Sequence, residues 1–204
     1  MRRGWLSSGR IVGLVAALIA GSLPALAQTA TAPSAAPAPA KLVPAQSEIV
    51  FANRQMGAPV EGRFRRFDAQ VAFDPRHPES GRIALTVDLA SVSLGSAEVE
   101  AEVAKPEWFN SAMSPQASFQ SGTIKALGGG RFEVAGKFTL KGVQRDLVVP
   151  VLLTQAGALC TATGSFAIKR LDFKVGAGDW SDTSLVADEV RLRFKLVLTG
   201  VPPL

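Results

Sequence analysis

The sequence predicts an all-β protein built of antiparallel strands, and three observations carry that prediction. Apolar and polar residues alternate with period two in nine or so short segments. Breakers containing Gly or Pro separate those segments. Only one stretch has the composition of a helix. Strands with one wet and one dry face give this alternation, and nine short ones in series with tight turns make a sandwich or a barrel.

The chain opens with Arg2, Arg3 and Arg10, followed by an uncharged apolar run from Ile11 to Leu23 and then Ala25-Leu26-Ala27. A positive start, an apolar middle and small residues at the cleavage positions are the plan of a secretory signal peptide over residues 1–27, cut after Ala27, with the periplasm as destination. The run of about 13 residues falls short of the roughly 20 that a membrane-spanning helix needs. Arg2-Arg3 leaves twin-arginine export open beside the general route. Residues 28–41 are Ala, Pro, Thr and Ser almost throughout. Too few large apolar groups are present there to repay ordering, so a flexible linker is expected, with the folded domain running from Leu42 to Gly200.

Within the domain, Arg82 to Asp88 sets Ile83, Leu85 and Val87 against Arg82, Thr86 and Asp88. Arg131 to Leu140 sets Phe132, Val134, Phe138 and Leu140 against Arg131, Glu133, Lys137 and Thr139. Glu189 to Thr199 alternates most regularly, Val190, Leu192, Phe194, Leu196 and Leu198 facing away from Arg191, Arg193 and Lys195. Fainter alternation marks Ile49 to Gln55, Val60 to Phe67, Ala69 to Phe73, Ala117 to Ile124, Leu147 to Leu153 and Gly164 to Ile168. Turns are expected at Met56-Gly57-Ala58-Pro59, from Asp74-Pro75 to Gly81, at Gly128-Gly129-Gly130 and at Lys141-Gly142. The exception is Ser96 to Ala104, rich in helix formers, with Ser93 or Ser96 as cap and acids in the first turn; Pro106 ends it. Trp108 and Phe109 follow at once, where a helix at one barrel mouth would place two large apolar side chains.

Several function classes are excluded by the residues. Of 22 basic residues, three precede Gln28 and none of the 17 acids does, leaving 19 against 17. The charges are interspersed, so no nucleic-acid surface is expected. Cys160 is the only cysteine, which rules out an internal disulfide and a lipid anchor at the cleavage site, and its apolar neighbours predict a buried, inert thiol. The only histidine, His77, sits in a proline-framed turn, and a surface turn seldom supplies the nucleophile and the orienting partner that a catalytic base needs. One His and one Cys do not make a zinc site. No enzyme, metal or cofactor is therefore expected. Lys169-Arg170 and Arg65-Arg66 could meet a phosphate, but a solvated face is the commoner use of such pairs.

Six segments, in order and over about 150 residues, resemble the YceI-like, or polyisoprenoid-binding, family. They are Gly62-Arg63-Phe64-Arg65-Arg66-Phe67; Val87 to Val92; Trp108-Phe109-Asn110 with Pro115 to Phe119; Gly136 to Val143; Lys169 to Phe173; and Asp188-Glu189-Val190. The chain departs from the family pattern at Gln46, at Gln55 and at Glu98-Val99-Glu100-Ala101, where the family carries histidines or an arginine. No role of those residues carries over.

The resemblance implies a lipocalin-like antiparallel barrel of about eight strands, with the short helix near a mouth and an apolar lumen for a polyisoprenoid lipid or an isoprenoid quinone. Barrels of this size either fill with side chains or hold one small ligand. Eleven phenylalanines and no tyrosine make the aromatic surface non-polar in either case. On the reading that the resemblance implies, the lumen is lined by Phe51, Phe64, Phe73, Leu85, Phe119, Phe132 and Phe138 from the first strands. Val149, Phe166, Phe173, Leu192 and Phe194 line it from the last, with Trp108 and Phe109 at the mouth. The alternative is an envelope structural or partner-binding module, with Trp180 as an interface anchor and a membrane b-type cytochrome as a conceivable partner.

Overall fold

The computed structural model describes residues 38–204. The expected signal peptide and most of the expected linker lie outside the described residues. Eleven strand segments are present: β1 (Pro39–Leu42), β2 (Glu48–Gln55), β3 (Ala58–Phe64), β4 (Phe67–Ala72), β5 (Arg82–Asp88), β6 (Val92–Ser93), β7 (Gln116–Gly128), β8 (Arg131–Leu140), β9 (Val143–Ala156), β10 (Leu159–Lys169) and β11 (Glu189–Thr199). Among the described residues a single α-helix, α1 (Ala97–Val103), lies between β6 and β7.

Their pairing reduces eleven segments to eight strands. β1 and β2 lie along the same edge of β11, through Leu42↔Leu198 and Phe51↔Leu192. β2 pairs with β3 and β1 with β4, so 39–55 and 58–72 form one long bent hairpin. β5 pairs with β4 and β6 with β3, which makes a third broken strand. From there β5, β7, β8, β9, β10 and β11 follow as an antiparallel meander, and β11 returns to β1 and closes the barrel. Closure covers the long edges that an open sheet would expose, except where β9 and β10 diverge.

The breaks have local causes. Pro44–Gln46 form a 3-10 turn between β1 and β2, and Ser47 Oγ locks it by donating to the Val43 carbonyl (2.9 Å) and accepting from Val197 N–H (2.9 Å). Pro150 ends another ladder. Leu153 N–H donates to the Gly130 carbonyl, which sets the odd residues of β9 toward β8 and turns the nitrogen of Pro150 toward β10. Pro150 has no N–H to give, and the β9–β10 pairing stops beside it, at Val151↔Gly164. The diverging ends of β9 and β10 are spanned by the 3-10 turn Arg170–Phe173, to which Arg145 Nη2 donates at the Asp172 carbonyl (3.2 Å).

Two strand glycines make room for aromatic rings. A Cβ on Gly62 would collide with the ring of its cross-strand partner Phe51, and one on Gly164 with the ring of its partner Phe194. Glycine at these positions lets a phenylalanine lie flat on the inner wall.

The domain boundaries differ from the sequence expectation. Pro39-Ala40-Lys41, assigned there to the linker, form strand, with Ala40 buried opposite Val71. Past Gly200, Val201 is buried and Leu204 N–H donates to Gln155 Oε1 (3.0 Å). Alanine and proline resemble a tether in composition, but a small side chain is what fits at a barrel seam.

Candidate functional site

The two ends of the barrel are unlike. One end holds the Asp74–Gly81 loop, the Gly128–Gly130 turn and Val201. Here Phe73, Ile124, Phe132, Cys160 and Val201 are all buried, and a Cβ on Gly81 would press on Phe73 Cδ2 (2.7 Å) and Ile124 Cδ1 (2.8 Å). Side chains close this end. The other end carries the Met56-Gly57 and Lys141-Gly142 hairpin turns, both at positive φ as two-residue turns require, together with α1 and the loop 170–188.

Between the ends runs an apolar cavity of about 230 Å³. Thirteen of the fourteen expected lumen residues line it: Phe51, Phe64, Phe73, Leu85, Trp108, Phe109, Phe119, Phe132, Phe138, Val149, Phe166, Leu192 and Phe194. Phe173 is not among the lining residues. It is buried with its ring edge-on to Phe138 at 5.3 Å, because it belongs to the turn that covers the β9–β10 divergence rather than to a strand. The inward register of the strands carrying Phe64, Phe132, Phe138 and Phe194 follows directly from period two, since a one-residue slip would turn every one of them outward.

Aromatic rings are grouped by level. Near the helix, Phe51, Phe64 and Phe109 form a chain with centroid separations of 5.4 and 6.1 Å. Trp108 meets Trp180 at 5.4 Å. At the closed end Phe73 and Phe132 pack edge-to-face at 5.3 Å. Val99 of α1 and Gln55 at the tip of β2 line the cavity and are also exposed, Val99 by 44%, which identifies the mouth as the space between helix and hairpin tip. α1 is seated there by Glu100, whose Oε1 accepts from Leu94 N–H (2.9 Å).

The loop 170–188 is organised by Arg170. This side chain is 2% exposed, and all five of its N–H groups are used. Nε donates to the Ala187 carbonyl (3.1 Å), Nη1 to Val175 (3.0 Å) and Gly176 (2.7 Å), and Nη2 to Trp180 (2.7 Å) and Val186 (2.8 Å). Burial lowers its tendency to hold the proton, and Asp188 opposes that effect. The expectation of a solvated or phosphate-facing Lys169-Arg170 is therefore corrected for Arg170, whose donors are consumed by the backbone of its own loop. Arg65 and Arg66 are exposed, Arg65 Nη2 donating to Ser93 Oγ (2.6 Å) and Arg66 pairing with Asp88 (2.8 Å). Trp180, expected as an exposed anchor, is exposed by 37% while one side of its ring packs against Trp108.

Two buried polar atoms, on residues that line this cavity, carry no signal in the sequence. Asn53 Nδ2 donates to the carbonyls of Ala187 (2.8 Å) and Glu189 (2.9 Å), while its Oδ1 is buried without a hydrogen-bond partner. Trp108 Nε1 is likewise buried and unpartnered. Period-two reading assigns Asn53 to a strand but cannot tell that its amide reaches a loop 134 residues away.

Cys160 is 1% exposed and faces the cavity near its closed end. Burial raises its pKa above the ordinary thiol range. Neutral thiol is thus favoured in the folded state, a contribution complete below that range and lost as pH rises above it. Folded protein at pH 8 is expected to resist a thiol reagent, with full labelling only in denaturant; fast labelling of the native form would show the closed end to be open. His77 lies exposed in its turn, 3.7 Å from Glu79, away from the cavity.

Comparison with known proteins agrees with this architecture. The model of the YceI-like domain matches residues 41–198. A "UPF0312 protein" of Shewanella sp. (strain ANA-3) is 30% identical over 193 residues, covering 87% of this chain and 97% of the relative. Among solved structures, Burkholderia cenocepacia BcnA superposes with a TM-score of 0.75 at 43% identity, covering 77% of this chain and 99% of BcnA. A domain from Saccharophagus degradans, described as polyisoprenoid-binding and implicated in plant cell wall breakdown, superposes with a TM-score of 0.61 at 18% identity, covering 80% and 98%.

Proposed function

This chain belongs to the YceI-like family, and on that premise we propose that it is a periplasmic lipid-binding protein that holds a polyisoprenoid or a similar long apolar ligand in its barrel. The observation that carries the proposal is the cavity itself, which extends from the mouth beside Val99 to the closed end at Phe73 and Ile124 and is lined almost wholly by apolar side chains. About 230 Å³ spread along a whole barrel is a narrow space. It suits an extended chain better than a fused-ring lipid. Affinity would come from buried apolar area, at about 25 cal/mol per Å². The polyisoprenoid-binding description of the Saccharophagus degradans domain, which shares the fold, supports the same choice of ligand.

Export and cargo are tested together on protein purified from the periplasm of its host. N-terminal sequencing is expected to begin at Gln28, and mass spectrometry of the organic extract to find a stoichiometric isoprenoid. A protein that retains Ile11 to Leu23 would be membrane-anchored instead. A second reading, a module that docks on an apolar partner such as a membrane b-type cytochrome, draws on Met56 (80% exposed), Met113 and Leu185, all at the mouth end. Recovery without any lipid would favour that reading.

A further inference from the structure

Most of the barrel wall is held by hydrogen-bonded ladders, in which neighbouring strands lie about 4.8 Å apart. Between β9 and β10 the ladder runs only from Leu159↔Ala156 to Gly164↔Val151. Both strands continue past that point, β9 back to Val143 along β8 and β10 on to Lys169 along β11. The same register carried further would set Pro150 opposite Ser165, Val148 opposite Ala167 and Asp146 opposite Lys169, yet none of these pairs forms. The wall therefore has a seam, bounded at one end by Pro150 and at the other by the turn Arg170–Phe173.

The seam leads to the lumen. Val149 and Val151 on one bank and Phe166 and Ile168 on the other line the cavity. On β10 the inward Cys160 and Ala162 are buried where the ladder holds, whereas Phe166 and Ile168 are only half-buried where it does not. Outside, a groove crosses the wall at the split, lined by Pro150, Leu152, Gly164 and Ser165 among others. Val151 and Phe194 line both the groove and the lumen. Val148 and Leu152 stand on the outer face of β9, 55% and 41% exposed, and give the seam an apolar rim.

We propose that this seam is a lateral portal through which the apolar chain of the ligand enters and leaves the lumen, an inference that rests on the lipid-binding reading. Parting the wall along a ladder breaks hydrogen bonds worth about 1 kcal/mol each. Between 143–150 of β9 and 165–169 of β10 there are no ladder bonds to break. The rim of the mouth is laced more firmly. Lys141 Nζ donates to the carbonyls of Glu107 (3.2 Å) and Lys174 (2.7 Å), and Gly176 N–H also donates to the Glu107 carbonyl (2.8 Å). A chain passing sideways displaces only side chains at the seam, and it meets apolar surface on both faces of the wall.

The test bridges the seam. Val148→Cys and Ala167→Cys place thiols at exposed positions on its opposite banks, and a short bismaleimide joins them. The same double variant with each thiol capped by N-ethylmaleimide carries the substitutions without the bridge. Stopped-flow mixing with geranylgeraniol bearing a fluorescent head label reads association, and displacement by unlabelled geranylgeraniol reads release. The bridge is expected to slow both by about tenfold or more against the capped control while Kd stays within about threefold, since closing a route alters rates and not the bound state. Bridged rates within about twofold of the control, whatever the affinity, overturn the portal and leave lipid binding standing. A second bridge across the mouth, Gln55→Cys with Val99→Cys, is expected to slow exchange less than the seam bridge does. If it slows exchange more, the mouth is the route and the portal falls. If the wild type binds no geranylgeraniol at all, the function itself fails and the portal with it.

Discussion

Replacing Arg170 with methionine is expected to cost about 3–5 kcal/mol of stability, the range for breaking a buried, fully hydrogen-bonded charge network. Methionine fills much of the same volume but donates nothing, so the carbonyls of Val175, Gly176, Trp180 and Val186 each lose a donor; Ala187 keeps Asn53 Nδ2. Arg170→Lys keeps the charge and still fails, because an ammonium offers three donors from one point while these carbonyls surround a planar fork. Urea unfolding of the wild type and both variants measures the cost. A change below about 1 kcal/mol for methionine would mean that water replaces the guanidinium without strain and that the loop is not held by it.

Val149→Trp is expected to weaken isoprenoid binding by at least a hundredfold, about 3 kcal/mol. Val149 is buried at mid-barrel opposite Val134, and both line the cavity. An indole there takes up much of the roughly 230 Å³ that the ligand would use. Overpacking should cost about 1–3 kcal/mol, which a protein with an internal void tolerates better than a filled core does. Titration of a fluorescent isoprenoid beside a thermal melt separates the two effects. Undiminished binding in a folded variant would place the ligand outside the lumen and defeat the proposed function.

Much of the wall is legible in the sequence, since each strand announces its dry face through its own neighbours. Arg131 to Leu140 and Glu189 to Thr199 were expected as strands and are β8 and β11 at those bounds. Elsewhere the periodic signal is diluted. β9 and β10 extend to Val143–Ala156 and Leu159–Lys169, well past the expected Leu147–Leu153 and Gly164–Ile168. Pro150 argues locally against a strand, and the inward Cys160 and Ala162 are too small to mark a face strongly. β1 was hidden altogether, because Pro39 and Ala40 share the composition of the tether before them.

The candidate site divides in the same way. Most of its aromatic lining follows from alternation at single strands; Trp108 and Phe109 line it from the loop after α1, and Phe173, which lies in a turn, does not line it. Its polar part does not follow. Nothing within a few residues of Asn53 or Arg170 tells that one amide oxygen will be orphaned or that five donors will be consumed by one loop.

By itself, then, the sequence determined that this protein is an antiparallel β structure with a phenylalanine-rich interior, because period two and turn chemistry act over a few residues and need no distant partner. Only the tertiary structure decided that the sheet closes on itself through Leu42 and Leu198, that one end is sealed and the other open beside Val99, and that Arg170 is spent on the backbone while Asn53 Oδ1 and Trp108 Nε1 are not. Those outcomes depend on which remote carbonyls and side chains arrive at the same place, and the closure of the barrel fixes that arrival.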